Sequence, residues 1–178
     1  MSDDVSKAKE LICILLAAAG GRLRLKTALN KAFYYAHLYY WKDEQKVLTD
    51  YPIVRMPNGP SIDNADQLLH ELQAEAWITI DRETLGPYPE FTYTLKRKFE
   101  IDPDDPRHRA AQQAIKWIEG KDAAQLSEET HDYSRSWQQA CDGQELNIYI
   151  DLLDDEEYRR MRRQLGVSEA NVHAVFSE

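Results

Sequence analysis

Apolar positions recur at helical spacing near the start of the chain. Ala8, Leu11, Ile12, Leu15, Leu16 and Ala19 share one stripe, and Gly20-Gly21 then ends it. A second helix is predicted from about Leu25 to Trp41. Leu25, Leu29, Phe33, Ala36 and Tyr40 fall on one of its faces, and Tyr34, Leu38 and Trp41 on another. A helix apolar on two faces is expected to lie centrally in its domain. Tyr51 to Arg55 reads as extended, because proline turns the preceding residue away from helix. Met56-Pro57-Asn58-Gly59-Pro60 is dense in turn formers. Asp63 is placed to cap a third helix with the stripe Ala65, Leu68, Leu69, Leu72 and Ala76.

The strand signal lies in Trp77-Ile78-Thr79-Ile80 and Phe91 to Leu95, joined by a long loop containing Gly86-Pro87 and Pro89. Asp105-Pro106 opens a fourth helix, with Pro106 where a missing N–H costs nothing. Ser127 is read as the cap of a fifth helix and Asn147 to Ile150 as a short extended piece. A last strong helix runs from about Asp154 to Leu165 and stops at Gly166, with a weakly helical tail after Ser168. The pattern predicts a single mainly α (α+β) domain of five or six helices and one small β-hairpin. Helix, helix, hairpin is also the order of a winged helix.

Size and charge narrow the function classes. At 178 residues the chain suits one domain. The two cysteines, Cys13 and Cys141, form no CxxC pair, which excludes a disulfide framework and a thiolate zinc ribbon. The longest apolar stretch, Leu11 to Ala19, falls short of the roughly 20 residues a membrane span needs. No basic segment precedes an apolar one at the N-terminus, so a cytoplasmic setting is the expectation. A net charge of −9 repels nucleic acid and anionic lipid on average.

Signals of catalysis are absent from the sequence. It has no Gly-rich phosphate loop, no HExxH and no GxSxG. Cys13 sits among apolar neighbours and reads as a small core residue. Asp102, Asp104 and Asp105 lack the spacing of a calcium loop. Asp154, Asp155, Glu156 and Glu157 open a helix whose far end carries Arg159, Arg160, Arg162 and Arg163, the order the helix dipole favours. No catalytic residue, metal site or cofactor is assigned, and the chain is not expected to be an enzyme. Arg22, Arg24, Lys26 and Lys31, with Lys96-Arg97-Lys98 after the hairpin, could meet phosphates, which keeps open a winged-helix-like DNA-binding regulator of its own operon. Against this, the second helix, taken as the recognition helix, is rich in rings: Phe33, Tyr34, Tyr35, Tyr39, Tyr40 and Trp41. Base edges are read by Arg, Lys, Asn and Gln instead. Six rings in nine residues cannot all face one core. Some are expected near the surface, where Tyr and Trp suit a protein interface, and others under the loop ending at Pro60.

These residues carry a resemblance. Leu29-Asn30-Lys31-Ala32-Phe33-Tyr34-Tyr35-Ala36-His37 resembles the opening signature of the SocA-like antitoxin family, the Panacea domain. Its loop ending in Gly-Pro is matched by Pro57-Asn58-Gly59-Pro60, its Leu- and Glu-rich helix by Leu68 to Leu72, and its hairpin by Trp77 onward. Its Leu-Ser-x-x-x-His segment with a later Trp is matched by Leu126 to His131 and Trp137. Asn58 stands where that family often has an aromatic. The resemblance implies a Panacea domain over residues 1–150, with 151–178 as a C-terminal helical extension packed on it. It further implies a bacterial or prophage antitoxin that neutralises a cognate toxin by direct binding, the toxin being encoded by the adjacent gene. One branch also acts as an adaptor for an ATP-dependent protease. The partner-binding residues read from it are Tyr34, Tyr35, His37, Tyr39, Pro57, Asn58, Gly59, Pro60, His131 and Trp137.

Overall fold

A computed structural model describes residues 3–84 and 86–164. Its first helix, α1 (Asp3–Ala18), buries Leu11, Ile12, Leu15 and Leu16 as the stripe predicts. Gly20 and Gly21, both at positive φ, turn the chain into β1 (Arg22–Arg24). The central helix α2 (Lys26–Glu44) follows and is solidly buried from Ala28 to His37. It packs on α4 (Pro106–Ile118) and α5 (Ala123–Tyr133), and α1 also lies against α4. Its two apolar faces explain this position, since each has a helix layer to meet.

Between α2 and α3 (Ala65–Ala74) the chain forms a hairpin that the sequence reading had only half seen. Strand β2 (Ile53–Met56) was expected as extended chain. Strand β3 (Gly59–Ile62) was not, because Gly59-Pro60 reads as turn rather than strand. The pair holds because Pro60 sits at an edge, where its missing N–H breaks no ladder. The expected hairpin is present as β4 (Ile78–Glu83) and β5 (Glu90–Leu95). β1 joins it, giving an antiparallel sheet of order β1-β5-β4. With α1, α2 and α3 this sheet follows the element order of a winged helix, interrupted by β2–β3 between the second and third helices.

The chain ends, among the described residues, with α6 (Arg135–Gln139), a 3-10 helix (Ile148–Leu152) and α7 (Asp155–Gln164). The described helices number seven besides the 3-10 turn, one more than the upper expectation. Asn147 to Ile150 is therefore not extended. Ser127 does not cap α5: Asp122 does, in a capping box with Gln125, and the Ser127 hydroxyl donates back to Ala123 O at 2.8 Å. Nor does Asp63 cap α3, since Asn64 occupies that position at φ 44 with no side-chain cap. Asp154 does cap α7, its carboxylate accepting from Glu157 N at 2.8 Å. The expected stop at Gly166, the tail after Ser168 and the end of the proposed extension lie outside the described residues. No described helix is long and apolar enough to cross a membrane.

Candidate functional site

Two adjacent polar residues of α2 fasten the inserted hairpin to the core. Asn30 Oδ1 accepts from Ile62 N at 3.0 Å, while its amide donates to Lys26 O at 3.1 Å. Lys31 points its ammonium at the turn itself, donating to Pro60 O at 3.0 Å and to Asn58 O. Lys31 is 0% exposed, and no carboxylate among the described residues pairs with it. Burial pushes the amine down to about 7. The two backbone carbonyls are what make a buried cation tolerable here. Gly59 passes directly over this ammonium at φ +96. A Cβ there would lie 2.5 Å from Nζ and 3.2 Å from Cε, so no side chain fits.

A second layer holds the turn from the side. The rings of His131, at the end of α5, and Trp137, in α6, stack with centroids 3.8 Å apart and an interplanar angle of 9°. The Arg55 guanidinium lies 4.2 Å from the Trp137 ring centre, and its Nε donates to Trp137 O at 3.0 Å. Arg55 also pairs with Asp142. Trp137 Nε1 donates to Met56 O at 2.8 Å, tying the stack to the last residue of β2. Burial and the nearby Lys31 charge hold the His131 imidazole below its ordinary value, although the Pro57 carbonyl favours protonation. His131 Nε2 is buried and no full hydrogen bond reaches it.

What this layered support presents outward is a short tip. Met56, Pro57 and Asn58 are exposed, Met56 at 44%, while Gly59 and Pro60 are buried against the support. Of the ten residues read as partner-binding, the structure thus brings Pro57, Asn58, Gly59, Pro60, His131 and Trp137 together. It sends the others elsewhere. Phe33 and Tyr34 are sealed in the core, and His37 is fully buried, with Nδ1 2.8 Å from Phe33 O and Nε2 3.2 Å from Thr49 O. Tyr35, 8% exposed, packs on Trp117 at 3.8 Å between centroids. Tyr39 is half-buried beside it, with Lys42 over its ring. Trp41 meets Tyr149 edge-on at the far end of α2.

The sequence reading missed Lys31, Arg55 and Asp142 as parts of the site. Lys31 had been counted with Arg22, Arg24 and Lys26 in a basic cluster, and that cluster is dispersed. Arg24 pairs with Glu90, Lys26 bonds Asp66 at 2.6 Å, and Lys31 faces inward. The available signal was its place in the register: Lys31 falls in an unbroken run of buried residues from Ala28 to His37, on no polar face. In the chain order α3, not α2, is the helix that directly precedes the β4–β5 hairpin. It carries Asp66 and Glu71, and Glu75 follows it. Lys9 of α1 pairs with Glu71 and Glu75, and α3 itself carries no Lys or Arg.

Cys13 is buried, and burial pushes its thiol up to about 11. Among the described residues no group of three or more His, Cys, Asp or Glu stands close enough to hold a metal ion. The family model of antitoxin SocA-like proteins, the Panacea domain, matches residues 29–138. The chain belongs to that family. The matched span runs from α2 to Trp137, so it contains both the clamped turn and the ring stack. No curated protein and no solved structure matches the chain.

Proposed function

We propose that this chain is an antitoxin that neutralises a cognate toxin by direct binding, the toxin being encoded by the adjacent gene in a bacterial or prophage genome. The observation that carries the reading is the exposed Met56-Pro57-Asn58 tip, held on one side by the buried Lys31 and on the other by the half-buried His131–Trp137 stack. A rigid, partly apolar projection loses little entropy on docking, which is what a tight protein interface needs. Pro57 and Asn58 make contact in this reading. Gly59, Pro60, His131 and Trp137 shape the turn, Tyr39 lies outside it, and Tyr34, Tyr35 and His37 act only as core. The toxin site works without a cofactor, and the protein resides in the cytoplasm.

The family domain extends in this proposal to about residue 150, with a C-terminal extension that begins at Asp151. Asp151 supports that, since it accepts from Tyr34, Ser134 and Ser136. Delivery of the toxin to an ATP-dependent protease is the finer role to be tested. The rival, a DNA-binding regulator, is disfavoured by α3, which has no Lys or Arg to meet phosphate or base edges. A salt titration against upstream DNA decides it, since phosphate contacts give an affinity that falls steeply with salt.

Co-expression with the adjacent gene product tests the main reading. The expected result is rescue of growth and a copurifying complex. A harmless neighbour and no complex would overturn it.

A further inference from the structure

We propose that Lys31 is a positioning residue of the toxin-docking turn: its buried ammonium grips the carbonyls of Asn58 and Pro60 and presets the exposed tip in its binding shape. This rests on the reading of that tip as the docking surface. The geometry gives Lys31 no other work. Among the described residues it has no carboxylate partner, it is fully enclosed, and its two acceptors lie on either side of Gly59. A buried cation without a counter-ion costs desolvation, and an apolar side chain of similar length would avoid that cost but leave the Asn58 and Pro60 carbonyls without this donor. What the ammonium supplies that an apolar chain cannot is two directed bonds to one turn. Gly59 completes the device, because the chain approaches Nζ more closely than any Cβ allows.

The same arrangement explains why the grip matters at this turn. Pro57 and Pro60 have no N–H, so the four-residue turn has only the amides of Asn58 and Gly59 to hold itself. Its carbonyls must be fixed from outside. Lys31 does this from α2, and Trp137 does it for Met56 O from α6. Lys31 thereby joins the helix that opens the family segment to the tip that would meet the partner.

The experiment compares wild type with Lys31→Met in the full chain by three measurements. The first is the thermal midpoint. The second is amide exchange at Asn58 and Gly59. The third is affinity for the adjacent gene product. The expected result is a midpoint lowered little, because removing the buried charge offsets the two carbonyls left without this donor, exchange at the turn about tenfold faster, as expected for a lost local constraint, and affinity about tenfold weaker. With a purely structural lysine the turn would loosen no more than the rest of the chain, which would overturn the proposal. If Lys31→Met does not fold, the wild-type ammonium decides. Nζ protons protected from exchange well beyond surface lysines support the grip, and protons exchanging as fast as theirs overturn it. A loosened turn with unchanged affinity overturns the docking role of the tip. A wild-type chain that binds no neighbour overturns the antitoxin reading, while exchange at the turn still decides the grip.

Discussion

The Tyr34 hydroxyl donates a 2.8 Å hydrogen bond to Asp151 Oδ2, joining the middle of the central helix to a residue 117 positions later. Asp151 Oδ1 accepts from Ser136 N at 2.8 Å, and Ser134 Oγ reaches its other oxygen at 3.2 Å. One carboxylate thus closes α2, the α5–α6 junction and the 3-10 helix into a single knot. Burial and the Asp151 charge both hold the Tyr34 phenol well above its usual value, so it stays a donor.

Asp151→Ala leaves the fully buried Tyr34 hydroxyl and the Ser136 N–H without their acceptor. A loss of about 3 kcal/mol in urea unfolding is expected, since each buried unsatisfied group costs about 1–3 kcal/mol. Tyr34→Phe alone should cost about 1 kcal/mol. The double variant should be less destabilised than the sum, because the two groups share one bond.

Tyr35→Ala should act on stability. The ring is buried and stacked on Trp117, with Lys121 over the other aromatic at 3.8 Å. Large-to-small changes of this kind cost about 3–5 kcal/mol. A Tyr35→Ala chain that keeps its melting temperature but loses its partner would put this ring at the interface instead.

Gly59→Ala should disturb the turn more than its size indicates. The residue sits at φ +96 and its new Cβ would press on Lys31 Nζ. Strain of this type costs about 1–3 kcal/mol. Combining it with Lys31→Ala should recover part of the loss by removing the clash, while the backbone strain remains. Thermal midpoints of the two single variants and the double variant measure this.

Acid and base should each reveal a different buried group. His37 is held below its ordinary value of 6.5 by burial, which outweighs the two carbonyls facing its ring. Below about pH 6.5 the unfolded chain therefore binds a proton that the native chain resists, and stability falls as pH drops. Lys31 has its pKa lowered from 10.5 to about 7. Between these values the unfolded chain again binds more protons, so stability rises with pH across that window. Above about pH 10 the sign reverses. Burial raises the phenols of Tyr34, Tyr35 and Tyr93, so the unfolded chain loses those protons first. Urea midpoints from pH 5 to 11 should trace a rise and then a fall. His37→Gln should flatten the acid limb, and Lys31→Met the climb between 7 and 10.5.

Much of the helical frame was legible in the sequence, because stripes such as Leu11, Leu15 and Leu68, Leu72 depend only on local periodicity. The order of helices and hairpin followed from the same signal. What escaped it was non-local. β1 is three residues long and exists only because Thr92 to Thr94 offer it a partner. β3 reads as turn because its strand identity comes from pairing with Ile53 to Met56. Within the site, the turn residues and the His131–Trp137 pair were visible as types with the right order. Their stacking was not, since it depends on where α5 ends and α6 begins. The ring-rich stretch of α2 divides: the core takes Phe33, Tyr34 and Tyr35, while Tyr39, Tyr40 and Trp41 stay half-buried nearer the surface. Lys31 was hidden by its own chemistry, because a lysine is assumed to face water.

The most direct test of the central claim changes the tip and nothing beneath it. Asn58 is exposed, and its side chain does not take part in the hydrogen bonds that hold the turn. Asn58→Arg should therefore leave the melting temperature within about 1 °C, as a surface change does. Copurification of this variant with the adjacent gene product, beside wild type, is the measurement. The account predicts a stable complex with wild type and its loss with Asn58→Arg. A complex equally stable with both chains would contradict it.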